Sequence, residues 1–145
     1  MAVRSGIKSI QFAVRPEADA AAIDAYLKGL KPVPSPKLIK GELSPEAKRG
    51  EAVYEKAGCA ACHPKPLLTD LKPYDIGTTK GMDKGKPVDT PTLAEVWRTA
   101  PYLHDGSAAT VEDLFKTLNP ENRHGNTLTL TAEELSDLIG YVLSQ

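Results

Sequence analysis

Two cysteines and a histidine stand within the segment Gly-Cys-Ala-Ala-Cys-His-Pro, which covers residues 58–64. Cys59 and Cys62 are the two cysteines of the 145-residue chain, and His63 directly follows the second of them. Four kinds of chemistry use thiols at this spacing: a disulfide, a redox-active dithiol, a zinc site and the covalent attachment of haem. The remaining sequence has to distinguish among them.

Three of these chemistries fit the sequence poorly. A disulfide between Cys59 and Cys62 would close a very short loop and add little stability. A thioredoxin-like redox site needs a βαβ context, and no stretch of this sequence alternates convincingly as a strand. Zinc needs four ligands, which the cysteines, His63 and His124 could supply, but His63 is awkwardly placed beside Cys62 to share one tetrahedron with both thiolates. A zinc-binding structural module is kept as the second alternative.

The C-x-x-C-H spacing fits covalent attachment of c-type haem better. Two cysteines three positions apart at the end of a helix can form thioethers with the two vinyl groups of one porphyrin edge, and the next residue can place its imidazole under the iron. We therefore predict one haem c, attached through Cys59 and Cys62 and ligated by His63. The other ring nitrogen of His63 is expected to bond to a backbone carbonyl in the loop after Pro64.

The bulk composition excludes two other classes of partner. With a net charge of −1, the chain cannot bind nucleic acid through bulk positive charge. No apolar run approaches the ~20 residues that a membrane-spanning helix requires. The first twenty residues also lack the continuous apolar segment of a secretory signal. We expect neither a nucleic-acid partner nor a membrane span.

The segments around the motif predict an all-α protein with long loops. Cap residues at Ser44, Thr110 and Thr131 mark helix starts. Thr110 and Thr131 are each followed three positions later by an acidic residue, Asp113 and Glu134 respectively. Prolines and glycines predict a long loop over residues 64–91, and a long ordered loop in a compact domain usually wraps around something. Five helices are predicted, at about Glu17–Leu30, from Ser44 to near Gly58, and over residues 92–100, 110–118 and 131–145.

The proline-rich residues 32–43 predict a stiff, extended linker. The helix before this linker and the last helix of the chain both place an aliphatic residue three positions before a tyrosine. We therefore expect residues 1–31 to be an N-terminal extension that contains the last helix of a preceding, similar domain. Residues 44–145 are then the haem domain.

Two segments resemble known haem proteins. Residues 50–64, GEAVYEKAGCAACHP, resemble the first helix of class I c-type cytochromes, with Gly50 and Tyr54 before the motif. Residues 89–115, DTPTLAEVWRTAPYLHDGSAATVEDLF, closely resemble the C-terminal haem domain of bacterial di-haem cytochrome c peroxidases, in which a T-P-x-L segment and an A-P-Y-x-H-D-G turn precede a helix that opens T-x-E. The resemblance implies a class I cytochrome c-like helical domain with long haem-wrapping loops. This chain differs from the peroxidases in one respect: they carry two C-x-x-C-H sites, and this chain carries one.

The sixth iron ligand is left open by the sequence. In the resembled peroxidases the haem of higher potential takes a methionine from the region after the T-x-E helix, and here Leu118 stands near that place. His124 follows in a segment rich in turn-forming residues, and Met82 lies in a glycine-rich loop. We favour His124, with Met82 as the alternative and an open position as the third case.

The remaining haem pocket is expected to be apolar, although each lining residue could equally be an ordinary core residue. Arg98 is expected to bind a haem propionate, because guanidinium binds carboxylate bidentately; its alternative is a solvated surface arginine. His104 is interpreted as a structural residue of its turn, as the resemblance implies. The predicted lining consists of Tyr54, Leu67, Leu68, Ile76, Leu93, Trp97, Tyr102 and Phe115.

These observations predict a mono-haem c-type cytochrome domain that transfers single electrons to a redox partner protein or to a neighbouring haem domain. The first alternative is the haem domain of a di-haem peroxidase-like enzyme, so the sequence does not decide whether the chain takes part in catalysis. Thioether attachment normally occurs outside the cytoplasm. We therefore expect the domain in the periplasm or at the cell surface, with a signal outside these residues.

Overall fold

Helices make up most of the regular structure in residues 2–145, the part of the chain that the computed structural model describes. The α-helices in this range are α1 at Ala2–Ser5, α2 at Glu17–Gly29, α3 at Pro45–Lys56, α4 at Val111–Lys116 and α5 at Ala132–Val142. Shorter turns are a π-helical one at Gly6–Ile10 and 3₁₀ turns at Cys59–Ala61, Gly81–Asp83 and Val96–Arg98. The regular structure of the described residues is mostly helical, which is the coarser part of the all-α class predicted from the sequence.

The predicted long loop over residues 64–91 contains a small β-ladder, which the all-α prediction did not include. Pro73–Tyr74 (β1) pairs antiparallel with Val88–Asp89 (β2). The backbone N–H and the hydroxyl of Thr90 both donate to the carbonyl of Lys72, at 3.0 and 2.8 Å, and extend the pairing. Strands of two residues are too short to show alternation in a sequence, so periodicity could not predict them.

The helix predicted over residues 92–100 is wrong: only the single 3₁₀ turn at Val96–Arg98 forms. Glu95 has a left-handed backbone with φ of 62°, which ends any helical path before this turn. The backbone N–H groups of Leu93 and Glu95 donate to the carbonyls of Leu68 and Gln145, at 3.2 and 3.1 Å. These long-range partners replace the bonds that a helix would have made.

The chain divides into two compact units, one that ends at Pro32 and one that comprises Val33–Gln145. In the first unit, Arg4 forms ion pairs with Glu17 and with Asp24, the latter at 2.6 Å. The large apolar residues of α2 and the leucine that directly follows it are solvent-exposed. They are Ile23, Tyr26, Leu27 and Leu30, with exposed fractions from 40 to 69%.

The second unit begins inside the predicted linker, and this stretch is held to the unit rather than free. The hydroxyl of Ser35 donates to the carbonyl of Leu143 at 2.6 Å, and Ser35 is buried. The backbone N–H of Val33 donates to the carboxylate of Glu95. Residues 33–35 therefore pack with the same unit as residues 44–145.

The helix starts of the second unit follow their predicted caps. The Ser44 side chain accepts from the backbone N–H of Ala47 at 3.1 Å. Thr110 with Asp113 and Thr131 with Glu134 both form complete capping boxes, in which each side chain bonds to the other residue's backbone.

The close crossing of α3 and α5 organises the second unit. A Cβ atom at Gly50 would lie 1.9 Å from the carbonyl oxygen of Asp137 and 2.8 Å from Cβ of Tyr141. Arg49 donates two hydrogen bonds to the buried carboxylate of Asp137, at 2.7 and 2.8 Å. One turn further along α3, the ring of Tyr54 packs edge-on against Tyr141 with centroids 5.1 Å apart.

The hydrophobic core surrounds this crossing and extends to α4. Its members are contributed by all three helices of the second unit and by the segment between α3 and α4. The buried core residues are Ala47, Val53, Tyr54, Val96, Ala108, Val111, Leu114, Phe115, Leu138, Tyr141 and Val142.

We predict that Gly50→Ala destabilises the protein by about 1–3 kcal/mol or more, because its methyl group has to push α5 away from α3. Gly140→Ala is the matched control, since a Cβ at Gly140 on α5 meets no atom within 4 Å. That variant should gain up to about 1 kcal/mol through helix propensity. The free energies of unfolding from urea titrations give the comparison; equal stabilities of the two variants would contradict the crossing as described.

Candidate functional site

A cavity of about 500 Å³ lies in the second unit, next to the C-x-x-C-H motif. Its walls are mostly apolar, as is usual for a site that takes an organic ligand. The motif supplies one side through Cys59, Cys62 and His63. The other walls come from residues 74–76, 88–93, 101–104 and 123–125, from α4 and from α5.

The end of α3 aims the cysteines at this cavity. The helix stops at Lys56, and Gly58 has a left-handed backbone with φ of 79°, which glycine adopts without a steric penalty. The 3₁₀ turn at Cys59–Ala61 follows, and the backbone N–H of His63 donates to the carbonyl of Cys59 at 2.9 Å. The turn thus delivers Cys59, Cys62 and His63 to one wall.

His63 is buried and held through its side chain. Nδ1 donates to the carbonyl of Leu68 at 3.0 Å, and since a carbonyl cannot donate, the proton lies on Nδ1. This is the predicted bond to the loop after Pro64, and it leaves the lone pair of Nε2 available to a metal. Burial lowers the pKa of His63, against the opposing effect of the Leu68 bond, and so favours the neutral form that ligates.

Hydrogen bonds also fix the backbone around His63. The Tyr54 hydroxyl donates to the carbonyl of His63 at 2.6 Å, within the buried core. The backbone N–H of Asp70 donates to the carbonyl of Cys62 at 2.9 Å. The Asp70 carboxylate in turn accepts from the hydroxyl of Tyr74 at 2.6 Å. The motif is therefore held from both the helix side and the loop side.

His124 faces His63 across the cavity. The centroids of the two imidazole rings lie 6.4 Å apart and their planes are inclined by 33°. Burial, with a smaller contribution from His63, lowers the pKa of His124 to about 4, so its ring is neutral at neutral pH. Within residues 3–145, whose side chains the structure describes, no group forms a hydrogen bond with the buried Nδ1 of His124.

The two imidazoles fit the axial positions of one metal ion. Imidazole nitrogens bind a transition metal at about 2.0–2.1 Å, so an ion between two such nitrogens holds the ring centres roughly 6 Å apart. The observed separation of 6.4 Å agrees with this value. The cavity is apolar, and one wall carries two thiols and the His63 imidazole, with the His124 imidazole opposite. This arrangement suits haem c.

The thiols are poorly suited to thiol–disulfide exchange. The two cysteines are not joined in a disulfide. Burial raises the pKa of Cys59 to about 11, whereas a redox-active dithiol needs a lowered thiol pKa to supply the reactive thiolate.

A tetrahedral zinc site is not assembled by these side chains. Among the described residues, no three His, Cys, Asp or Glu side chains converge on a point that could hold a metal ion. The arrangement of Cys59, Cys62, His63 and His124 therefore gives the zinc alternative no support, because structural zinc sites need four such ligands around one point.

Four of the sequence-predicted site residues lie away from the cavity. Met82 is 95% exposed in the Gly81–Asp83 turn, and Leu67 is 63% exposed, with its carbonyl accepting from the Thr92 hydroxyl. Trp97 and Arg98 are displaced because their segment is a 3₁₀ turn rather than a helix. Arg98 pairs with Glu95 and lies over the Trp97 ring, with 5.8 Å between the guanidinium carbon and the ring centroid.

The remaining predicted residues lie at or beside the cavity. Leu68 is buried and contributes its carbonyl to His63 rather than a side chain to the wall. His104, interpreted as a residue of the turn, also borders the cavity. The predicted lining residues found in the wall are Tyr54, Ile76, Leu93, Tyr102 and Phe115.

Sequence analysis missed the charged pair at the cavity. Arg123 and Asp75 both border it, and the guanidinium lies 2.6 Å from the Asp75 carboxylate. Arg123 also donates to the Asp75 carbonyl at 3.1 Å. The position of Arg123 directly before His124 is the sequence signal that could have identified it as a site residue in place of Arg98.

The fold and the site resemble those of cytochrome c-like proteins. A family model described as RoxA-like, cytochrome c-like matches residues 89–126, the segment that contains the A-P-Y-x-H-D-G turn, α4 and His124. The resemblance to the haem domains of bacterial di-haem cytochrome c peroxidases is confirmed by this match and by the relatives that follow.

Three curated relatives show where this domain occurs. The gamma subunit of hydrazine synthase from Kuenenia stuttgartiensis is 41% identical over 74 residues, which are 48% of this chain and 21% of that protein. Cytochrome-c peroxidase IdrP1 from Denitromonas iodatirespirans is 31% identical over 71% of this chain and 41% of its own length. The methylamine utilization protein MauG from Methylophilus methylotrophus is 32% identical over 70% of this chain and 37% of its own. The chain thus spans less than half the length of these relatives.

Two solved structures share the fold. Kuenenia stuttgartiensis hydrazine synthase, studied under xenon pressure, superimposes with a TM-score of 0.74 at 28% identity, over 87% of this chain and 55% of that one. A MauG-like protein associated with microbial copper homeostasis gives a TM-score of 0.67 at 22% identity, over 96% of this chain and 59% of that one. The second likeness supports the fold alone. In the part of the chain that is described, none of the helices combines the length and the apolar character needed to cross a membrane.

We predict that Tyr54→Phe lowers the free energy of unfolding by about 1–3 kcal/mol, because the buried carbonyl of His63 then lacks its donor. Tyr26→Phe is the control, since the Tyr26 side chain is 69% exposed in the first unit. Urea unfolding followed by circular dichroism gives both values. A Tyr54→Phe protein as stable as Tyr26→Phe would show that the hydroxyl does not support the motif.

Proposed function

We propose that this chain is a mono-haem c-type cytochrome domain that transfers single electrons. The observation that carries the proposal is the pairing of the His63 and His124 imidazoles, with ring centroids 6.4 Å apart, across an apolar cavity that Cys59 and Cys62 also line. Haem supplies the redox chemistry when it is bound. The protein supplies attachment, axial ligands and the exclusion of water.

Each residue of the motif has a separate role in this proposal. Cys59 and Cys62 form thioethers with one edge of the porphyrin, and His63 ligates the iron through Nε2. The Leu68 carbonyl fixes the orientation of the His63 ring and increases the basicity of its ligating nitrogen. The predicted loop over residues 64–91, with β1 and β2, encloses the haem on the side of residues 74–76 and 88–91, which border the cavity.

His124 is the proposed sixth ligand in preference to Met82. His124 borders the cavity and its Nδ1 is buried, whereas Met82 does not border the cavity and is 95% exposed. Two imidazole ligands give a lower potential than histidine with methionine, because thioether sulfur favours ferrous iron. With both His63 and His124 bound, the iron would have no open position for peroxide, which favours an electron carrier over a peroxidase.

The alternative function is the haem domain of a di-haem peroxidase-like enzyme. It is favoured by the relatives named as cytochrome-c peroxidases, of which this chain covers less than half. In that case the domain would exchange electrons with a neighbouring haem domain rather than with a separate redox protein. A five-coordinate, high-spin ferric iron would support this alternative, and a six-coordinate, low-spin iron supports the electron carrier.

We further propose that residues 1–31 are an N-terminal extension in which α2 is the last helix of a preceding domain. The apolar residues of α2 that are exposed in the first unit would then be covered by that domain. Because c-type attachment normally occurs outside the cytoplasm, the proposed location is the periplasm or the cell surface.

We predict that the haem of the wild-type protein stays with the polypeptide in acidic organic solvent, because two thioether bonds hold it. The double variant Cys59→Ser, Cys62→Ser should release any haem that it binds. The measurement is the absorbance of haem in the organic phase, compared with the wild-type protein treated in parallel. Extraction of haem from the wild-type protein would refute covalent attachment.

We predict that His124→Ala converts the ferric iron from low-spin to high-spin, because the imidazole that completes its coordination is lost. Met82→Ala is the control and should keep the wild-type ferric spectrum, since Met82 is exposed. Added imidazole should restore the low-spin spectrum of His124→Ala. Loss of the low-spin state in Met82→Ala alone would assign the ligand to methionine.

A further inference from the structure

Asn119 lies just beyond the end of α4. All of its side-chain hydrogen bonds go to the turn that carries His124. Asn119 is 2% exposed. Its Oδ1 accepts from the backbone N–H of His124 at 2.9 Å. Its Nδ2 donates to the carbonyls of His124 and Gly125, at 3.1 and 2.8 Å, and to the hydroxyl of Thr127 at 2.9 Å. One buried amide therefore bonds to both backbone polar groups of His124.

His124 differs from His63 in how its ring is oriented. The His63 ring is held by its own Nδ1, which donates to the Leu68 carbonyl. A histidine that ligates a metal usually has such a partner on its second nitrogen. No described group in the chain bonds to Nδ1 of His124. The direction of the His124 ring therefore has to come from the backbone of its turn.

The turn is also fixed relative to the haem-attachment motif. The backbone N–H of Asn126 donates to the carbonyl of Ala57 at 2.9 Å, at the end of α3. Gly125 has φ of 79°, and a Cβ atom there would lie 3.7 Å from Sγ of Cys59. Holding this turn through Asn119 thus fixes the distance from His124 to the wall that carries Cys59.

We propose that Asn119 is a positioning residue that holds His124 in place for iron ligation. The inference rests on the proposed function, because it requires His124 to be the sixth ligand. Asn119 does not touch the iron. It acts by keeping the His124 backbone from moving away, and so it sets how readily an external ligand can displace the imidazole.

The test is the rate at which cyanide binds to the ferric, haem-loaded protein. Asn119→Asp keeps the shape and the Oδ1 acceptor but removes the Nδ2 donor, so cyanide should bind about tenfold faster or more. Asn122→Asp is the matched control, because Oδ1 of Asn122 accepts from Thr127 and Leu128 backbone N–H groups and none of its bonds reaches His124. Its rate should stay within about twofold of the wild-type rate.

The thermal unfolding midpoint of each variant is measured beside the rate, so that general destabilisation is distinguished from release of His124. A cyanide rate for Asn119→Asp that matches Asn122→Asp would overturn the proposal. If Asn119→Asp does not bind haem, Asn119→Ser decides, because it removes the amide's bonds to His124 without adding charge. Cyanide should bind to Asn119→Ser several-fold faster than to the wild-type protein, and a wild-type rate would overturn the proposal.

The variant His124→Ala separates this proposal from the function on which it rests. If its ferric spectrum and cyanide rate equal those of the wild-type protein, His124 is not the ligand, and both the ligand assignment and the role of Asn119 fail. If His124→Ala changes both while Asn119→Asp changes neither, the ligand assignment stands and only the positioning role is overturned.

Discussion

The backbones of α3 and α5 meet so closely at Gly50 that no side chain fits between them, and the carbonyl of Asp137 occupies that space. Arg49 and Asp137 bond across this contact. The contact therefore fixes the angle at which the two helices cross and the position of each along the other. It places Tyr54 one turn further on, against Tyr141, with its hydroxyl on the carbonyl of His63. The position of the C-x-x-C-H motif is thus a result of helix packing as much as of the motif itself.

The two candidate iron ligands are supported in different ways. His63 lies in a local structure, since its bonding partners Tyr54, Cys59 and Leu68 are all within nine residues of it. His124 lies on a turn between α4 and α5 that is held by a buried amide and by a bond to the end of α3. If both residues ligate iron as proposed, changes at the turn that carries His124 would alter ligation without unfolding the domain.

Local signals in the sequence predicted the caps at Thr110 and Thr131, the helix that leads into the motif and the bond from His63 to the following loop. The segment at residues 92–100 could not be predicted in this way, because the backbone bonds of Leu93 and Glu95 go to Leu68 and Gln145. That error also misplaced Trp97 and Arg98. Periodicity reports which face of a regular element is apolar, and it carries no information on bonds to residues distant in the chain.

The bond between Ala57 and Asn126 joins positions that are far apart in the chain, while the turn from Cys59 to Leu68 closes on itself. Contacts between distant residues form later and more slowly in folding than local ones, because the intervening chain has to lose its entropy first. The wall that carries the thiols can therefore take shape before the wall that carries His124. If haem is attached as proposed, the cysteines would be presented to a modifying enzyme on an open surface, and the second imidazole would close over the group afterwards.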